Sequence, residues 1–222
     1  MLPCRLQPVQ LPPLTDLLAL LGIDLVLCAG CLRLLAGRGG VSSGAKWGTA
    51  LFFLVLWFPV GASRLPLLAY VRGISSNLSI TLVALASVGL CRRLLALSAV
   101  ARRERLALYG LISVAALFLY PPAMGWGDWD SYRSGWGSWG VWTALLLLSL
   151  FSWVMGLRLL PLLIALSLVA WNAGLMESTN LWDYLLDPWL AGVALFQCLN
   201  SSAQSLLRLF RRSGSSAGKI EH

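Results

Sequence analysis

Long apolar runs alternate with short polar interruptions along this chain, and their length fits a bilayer better than a water-soluble core. A helix needs about 20 predominantly apolar residues to cross hydrocarbon, with a range of about 17–25. Seven runs approach that length: Leu17–Ala36, Trp47–Gly61, Ile74–Cys91, Leu106–Met124, Val141–Met155, Leu159–Leu175 and Tyr184–Leu199. The second reaches toward Tyr70 if it continues past Pro59 and Pro66. The last is the weakest, because it contains Pro188 and Gln197 and runs into Asn200, Ser201 and Ser202. The fifth and sixth runs together are too long for one crossing of a layer about 30 Å thick. Gly156 and Pro161 bracket Arg158 between them. Glycine suits a helix C-terminus and proline the first turn of the next helix, so a tight helical hairpin is expected there.

The pattern predicts an all-α polytopic transmembrane bundle of about seven spans. Residues 1–210 form one transmembrane domain, and residues 211–222 a disordered basic cytoplasmic tail. The first residues, Met1 to Pro13, hold one arginine and four prolines and do not read as a cleavable signal.

Charge orients the bundle. Placing Arg33, Arg38 and Lys46 inside puts Arg92, Arg93, Arg102, Arg103, Arg105 and Arg158 inside as well. The tail residues Arg208, Arg211, Arg212 and Lys219 join them, so 13 of 17 basic residues share one side. That asymmetry is the positive-inside bias, with the N-terminus out and the C-terminus in. Only Arg5, Arg64, Arg72 and Arg133 stay outside. Among the acids only Glu104 and Glu221 fall inside. The positive-inside bias does not require acidic segregation, so it hints at a role for the outer face.

Composition agrees with the periodicity. The chain is 58% hydrophobic and 12% charged, against about 45–50% and about 25% for soluble domains. The net charge of +8 comes from helix ends, not from one compact face, so nucleic acid is not an expected partner. Five cysteines give no paired framework. The only histidine is His222, which removes histidine-based metal sites and Ser-His or Cys-His nucleophile pairs. No Walker A sequence is present. No catalytic residue, metal or cofactor is assigned.

Two outer segments could carry chemistry. Gly125–Gly140, GWGDWDSYRSGWGSWG, holds four tryptophans and five glycines with Asp128, Asp130 and Arg133. Tryptophan favours the headgroup layer, so an aromatic belt is one reading. A belt does not need the charges, so a binding loop is the other. Asp128-Trp-Asp130 starts like a calcium loop but fails at Tyr132 and Arg133. Gly125-Trp-Gly-Asp128 matches the short GxGD motif of intramembrane aspartyl proteases and prepilin peptidases. Here it sits in a polar loop without a partner motif at Asp24.

The second segment is Met176–Leu190, in which Glu177, Asn180, Asp183 and Asp187 recur at helical spacing. They are expected to line one face of an interfacial helix, with Pro188 opening the last span. Arg64 and Arg72 flank a re-entrant or interfacial piece and break the charge bias. Arginine favours bidentate phosphate or carboxylate contacts. The candidate binding set is therefore Arg64, Arg72, Asp128, Asp130, Arg133, Glu177, Asp183 and Asp187.

Asp24 is the one acid inside a span. Insertion scales put such a charge at about 2.5–3.5 kcal/mol. It must be paired, protonated or exposed to a cavity, and an interhelical hydrogen bond is the expected use. The functional expectation is a multi-pass inner-membrane accessory or interaction protein, assuming a bacterial-type source. Its outer cluster would bind a lipid headgroup or a partner membrane or periplasmic protein. The alternatives are a small transporter using Asp24, or a membrane-embedded enzyme acting on a lipid-linked substrate.

Overall fold

A computed structural model describes residues 13–36 and 40–217, with side chains to Ser205. The protein is all-helical, with 73% of residues in nine helices among the described residues. They are α1 (Leu14–Leu35), α2 (Ser43–Leu56), α3 (Leu67–Ser75), α4 (Ile80–Leu94), α5 (Arg102–Ala123), α6 (Trp139–Val154), α7 (Leu159–Asn172), α8 (Leu181–Leu185) and α9 (Pro188–Ala217). A two-residue antiparallel hairpin, Pro59–Val60 with Leu65–Pro66, separates α2 from α3. Arg5, Arg38, Lys219 and Glu221 of the charge tally lie outside the described residues, as do Cys4 and His222.

Local signals explain the boundaries. Ser42 and Ser79 accept from Ala45 N and Leu82 N and so cap α2 and α4. The expected hairpin is present: α6 ends at Val154, Gly156 takes φ +74°, and α7 starts at Leu159 with Pro161 in its first turn. Pro188 opens α9, as expected. The last helix then continues beyond Arg211 to Ala217, where a disordered tail was expected. The basic amphipathic stretch that precedes the tail extends the helix instead of ending it.

Among the described residues two helices qualify by length and composition as membrane spans, α1 and α5, each of 22 residues. The helices α2, α6 and α7 are apolar but have only 14, 16 and 14 residues. The second run is short because Pro59 and Pro66 break it into α2, the hairpin and α3, so it is not one continuous helix.

Two clusters of buried side chains hold the bundle. Leu108, Ile112, Ala116 and Leu119 of α5 pack with Leu160, Leu163 and Ile164 of α7 and Leu190, Ala191 and Ala194 of α9. Leu20 and Ile23 of α1 pack with Leu56 and Leu68. At one end, Lys46 Nζ donates to Leu94 O (2.8 Å) and Leu159 N donates to Glu104 Oε1 (2.5 Å). Glu104 thereby caps the first turn of α7, where an acid also meets the positive helix terminus. The opposite end gathers the start of α1, all of α3, the α7–α8 connection and the starts of α4 and α9, and it carries the polar residues.

Candidate functional site

The polar end is built from two connected charge clusters. In the first, Arg72 of α3 donates from Nη1 to Asp16 Oδ1 of α1 (2.7 Å) and from Nη2 to Glu177 Oε1 (2.9 Å). Its Nε donates to Asn77 Oδ1 (3.1 Å). All three guanidinium nitrogens are used, as the rigid fork of arginine allows. The bond to Asp16 chiefly, and the field of both carboxylates, hold the guanidinium pKa above its ordinary value. Glu177 is 63% exposed at its side chain, so its half of the cluster is the weaker one.

In the second cluster the tryptophan-rich connection docks on α8. A 3₁₀ turn, Tyr132–Gly135, presents Tyr132 Oη, which donates to Asp183 Oδ2 (2.8 Å). Ser178 Oγ donates to the same oxygen. Burial, and then the bond to Asp183, push the Tyr132 phenol up to about 12. Asn180 caps α8 by accepting from Trp182 N (2.9 Å), and its Nδ2 donates to Tyr132 O (2.9 Å). Trp182 Nε1 donates to Ser134 Oγ (3.1 Å). Gly135 sits beneath Asn180 and Trp182, where a Cβ would lie 1.8 Å from Asn180 Oδ1.

Asp187 has a structural task. Its Oδ2 accepts from Ser79 N (3.0 Å) and Ser79 Oγ (2.5 Å), and its Oδ1 accepts from Leu190 N (2.8 Å). One buried carboxylate thus serves the first turns of α4 and α9, each of which has unpaired N–H groups. The expected stripe of Glu177, Asn180, Asp183 and Asp187 on one helix face is not formed. The helix covers only Leu181–Leu185, because Asn180 caps its start and Leu186 is extended before Pro188. The four residues therefore diverge: Glu177 to Arg72, Asn180 and Asp183 to Tyr132, and Asp187 to Ser79.

Three candidates stand apart. Arg64, Asp128 and Arg133 are exposed and take part in no side-chain hydrogen bond or ion pair among the described residues. Among the described residues Arg72 bonds to Glu177 of that segment, and Arg64 and Arg133 do not. Arg64 occupies a turn at φ +48°, beyond the end of the first strand. Asp130 is local: its Oδ1 accepts from Tyr132 N (3.0 Å) and Arg133 N (3.3 Å) and so opens the 3₁₀ turn. Asp24 is fully buried in α1 and accepts from Trp57 Nε1 (2.6 Å) and Cys28 Sγ (3.4 Å). The expected interhelical bond is present, joining α1 to the end of α2. Asp16, the other acid of α1, has Arg72 as its partner, and no hydrogen bond links the two acids among the described residues.

Two cavities open at this end. One, of about 570 Å³, is walled by Tyr120, Tyr132, Glu177, Ser178, Asp183 and Asp187, with Asn77 and Ser76 on its edge. The other, of about 710 Å³, runs between α1 and α3 past Leu17, Leu20, Trp57, Leu65, Ala69 and Ile74 to Asp16 and Arg72. Ser76, Asn77 and Glu177 belong to both walls, so the cavities adjoin. Ser76 ends α3 at φ +61° and ψ −162°, a conformation that favours glycine. Strain of this kind is on the order of 1–3 kcal/mol and is maintained only by its surroundings.

The residues missed in the sequence are Asp16 as an ion-pair partner, Asn77, Tyr120, Tyr132 and Ser178. Their signal is weak because each is ordinary alone and only the fold brings them together. No group of three or more potential metal ligands occurs among the described residues. Comparison with protein-family models, curated proteins and solved structures gives no match.

Proposed function

We propose that this chain is a multi-pass inner-membrane protein whose polar end faces outward and binds a lipid headgroup, acting as an accessory protein. The observation that carries the reading is the 570 Å³ cavity, with Tyr120, Tyr132, Glu177, Asp183 and Asp187 in its wall, opening beside the 710 Å³ one, whose wall is more apolar. Headgroup sites need this juxtaposition, with a few convergent polar groups against apolar walls.

Outward apolar side chains support the multi-pass part. Leu51 and Leu54 on α2, Leu146, Leu147 and Phe151 on α6, and Val169 on α7 are between 59% and 68% exposed. Patches of this kind are foreign to water-soluble monomers. Seven crossings are proposed for α1, α2, α4, α5, α6, α7 and α9. At 1.5 Å per residue, helices of 14–16 residues rise about 21–24 Å, so the bilayer would thin locally around them. Exposed Trp126, Trp129, Trp136 and Trp139 would then sit in the outer headgroup layer.

The test is native mass spectrometry of the purified full chain. A retained lipid whose occupancy falls on Arg72→Gln supports the reading. A lipid-free protein that still co-purifies with a stoichiometric protein partner would replace lipid by that partner.

A further inference from the structure

Resting on the headgroup reading, the geometry points to an amino-phospholipid of the phosphatidylethanolamine type as the occupant. The chemistry of the walls runs in one order. The larger cavity is lined by Leu17, Leu20, Trp57, Ala69 and Ile74 and by the Asp16–Arg72 pair, which Glu177 joins to the smaller one. The smaller one continues past the shared Glu177 to Tyr120, Tyr132 and Asp183 and, among the described residues, has no basic residue in its wall. An acyl chain, a phosphate and a primary ammonium follow one another in the same order along an ethanolamine phospholipid. Arginine pairs bidentately with phosphate, and carboxylate and phenol oxygens accept from an ammonium.

The existing bonds leave room for both exchanges. Glu177 is the exposed partner of Arg72, and such a pair is weakly held, so a phosphate can replace it while Asp16 remains. Asp183 receives Tyr132 and Ser178 on Oδ2 alone, which leaves Oδ1 without a donor among the described residues. A primary ammonium supplies that donor and a trimethylammonium cannot. Glu177, Asp183 and Asp187 disfavour a headgroup with net negative charge.

The experiment equilibrates the full-length protein in nanodiscs with vesicles of phosphatidylethanolamine, phosphatidylcholine or phosphatidylglycerol of matched chains and measures bound lipid. Phosphatidylethanolamine is expected to be held about tenfold more tightly than either other lipid. Asp183→Asn should remove that preference, and Arg72→Gln should weaken all three alike. Should Asp183→Asn fail to fold, wild-type competition replaces it: glycerophosphoethanolamine should displace the bound lipid and glycerophosphoglycerol should not. Equal binding of phosphatidylcholine or phosphatidylglycerol overturns the ammonium assignment but leaves headgroup binding intact. No retained phospholipid of any class overturns both.

Discussion

Replacing Gly135 with alanine should undock the tryptophan-rich connection from α8. The added Cβ would stand 1.8 Å from Asn180 Oδ1 and 2.6 Å from Trp182 Cδ1. Ordinary carbon contacts begin near 3.4 Å, so Asn180 must move by about 1.5 Å or the 3₁₀ turn must lift. Either movement breaks the bond from Asn180 Nδ2 to Tyr132 O and the cap of α8 at Trp182 N. The cap contributes about 1 kcal/mol and each further hydrogen bond about 0.5–1.5 kcal/mol. With the Tyr132 bond to Asp183 also at risk, the expected loss is about 2–4 kcal/mol. For a chain of this size that lowers the melting temperature by roughly 4–16 °C. The assay is thermal unfolding in detergent followed by tryptophan fluorescence, which should shift red as Trp182 and Trp136 gain water. Gly140→Ala is the control, since its nearest neighbour would be Ser138 Oγ at 3.5 Å. Wild-type melting and emission in Gly135→Ala would refute the docking of the two segments.

The other expectations concern charge and topology. Tyr132→Phe removes a hydrogen bond to a carboxylate and should cost about 1.5–3 kcal/mol in the same melting assay. Because the folded Tyr132 pKa lies above its ordinary 10.0, at about 12, its contribution is full below pH 10 and disappears between pH 10 and 12. The stability difference between wild type and Tyr132→Phe should shrink over that window, and a constant difference would contradict it. Glu177→Gln should change stability by under about 1 kcal/mol because its side chain is 63% exposed; urea melts showing a larger loss would mean a tighter strap. In a background without native cysteines, Asp128→Cys should react with a membrane-impermeant maleimide on intact cells. Ala96→Cys should react only after lysis, and the reverse pattern would invert the topology.

Helical class, the hairpin at Gly156, the start of α9 at Pro188 and the special status of Asp24 were all readable in the linear pattern. Each depends on neighbours along the chain: apolar run length, glycine and proline at helix ends, and an acid surrounded by leucines. The run lengths overstated the second helix, since hydropathy averages across Pro59 and Pro66 while backbone hydrogen bonding does not. Spacing alone also overstated the acidic stripe. Asn180, Asp183 and Asp187 satisfy helical periodicity, yet Asn180 and Asp183 turn to Tyr132 while Asp187 turns to Ser79.

What the order of residues settled by itself was that this protein is built from apolar helices with most of its charged residues at their ends and Asp24 as the exception inside α1. That follows because hydrophobic burial and backbone pairing are nearly local demands. Only the folded arrangement decided which polar groups meet. Asp16 and Arg72 lie on different helices, Ser79 and Asp187 each precede a different helix, and Tyr132 reaches Asp183 from a separate connection. A hydrogen bond depends on distances of about 3 Å in space, and separation along the chain carries no information about those.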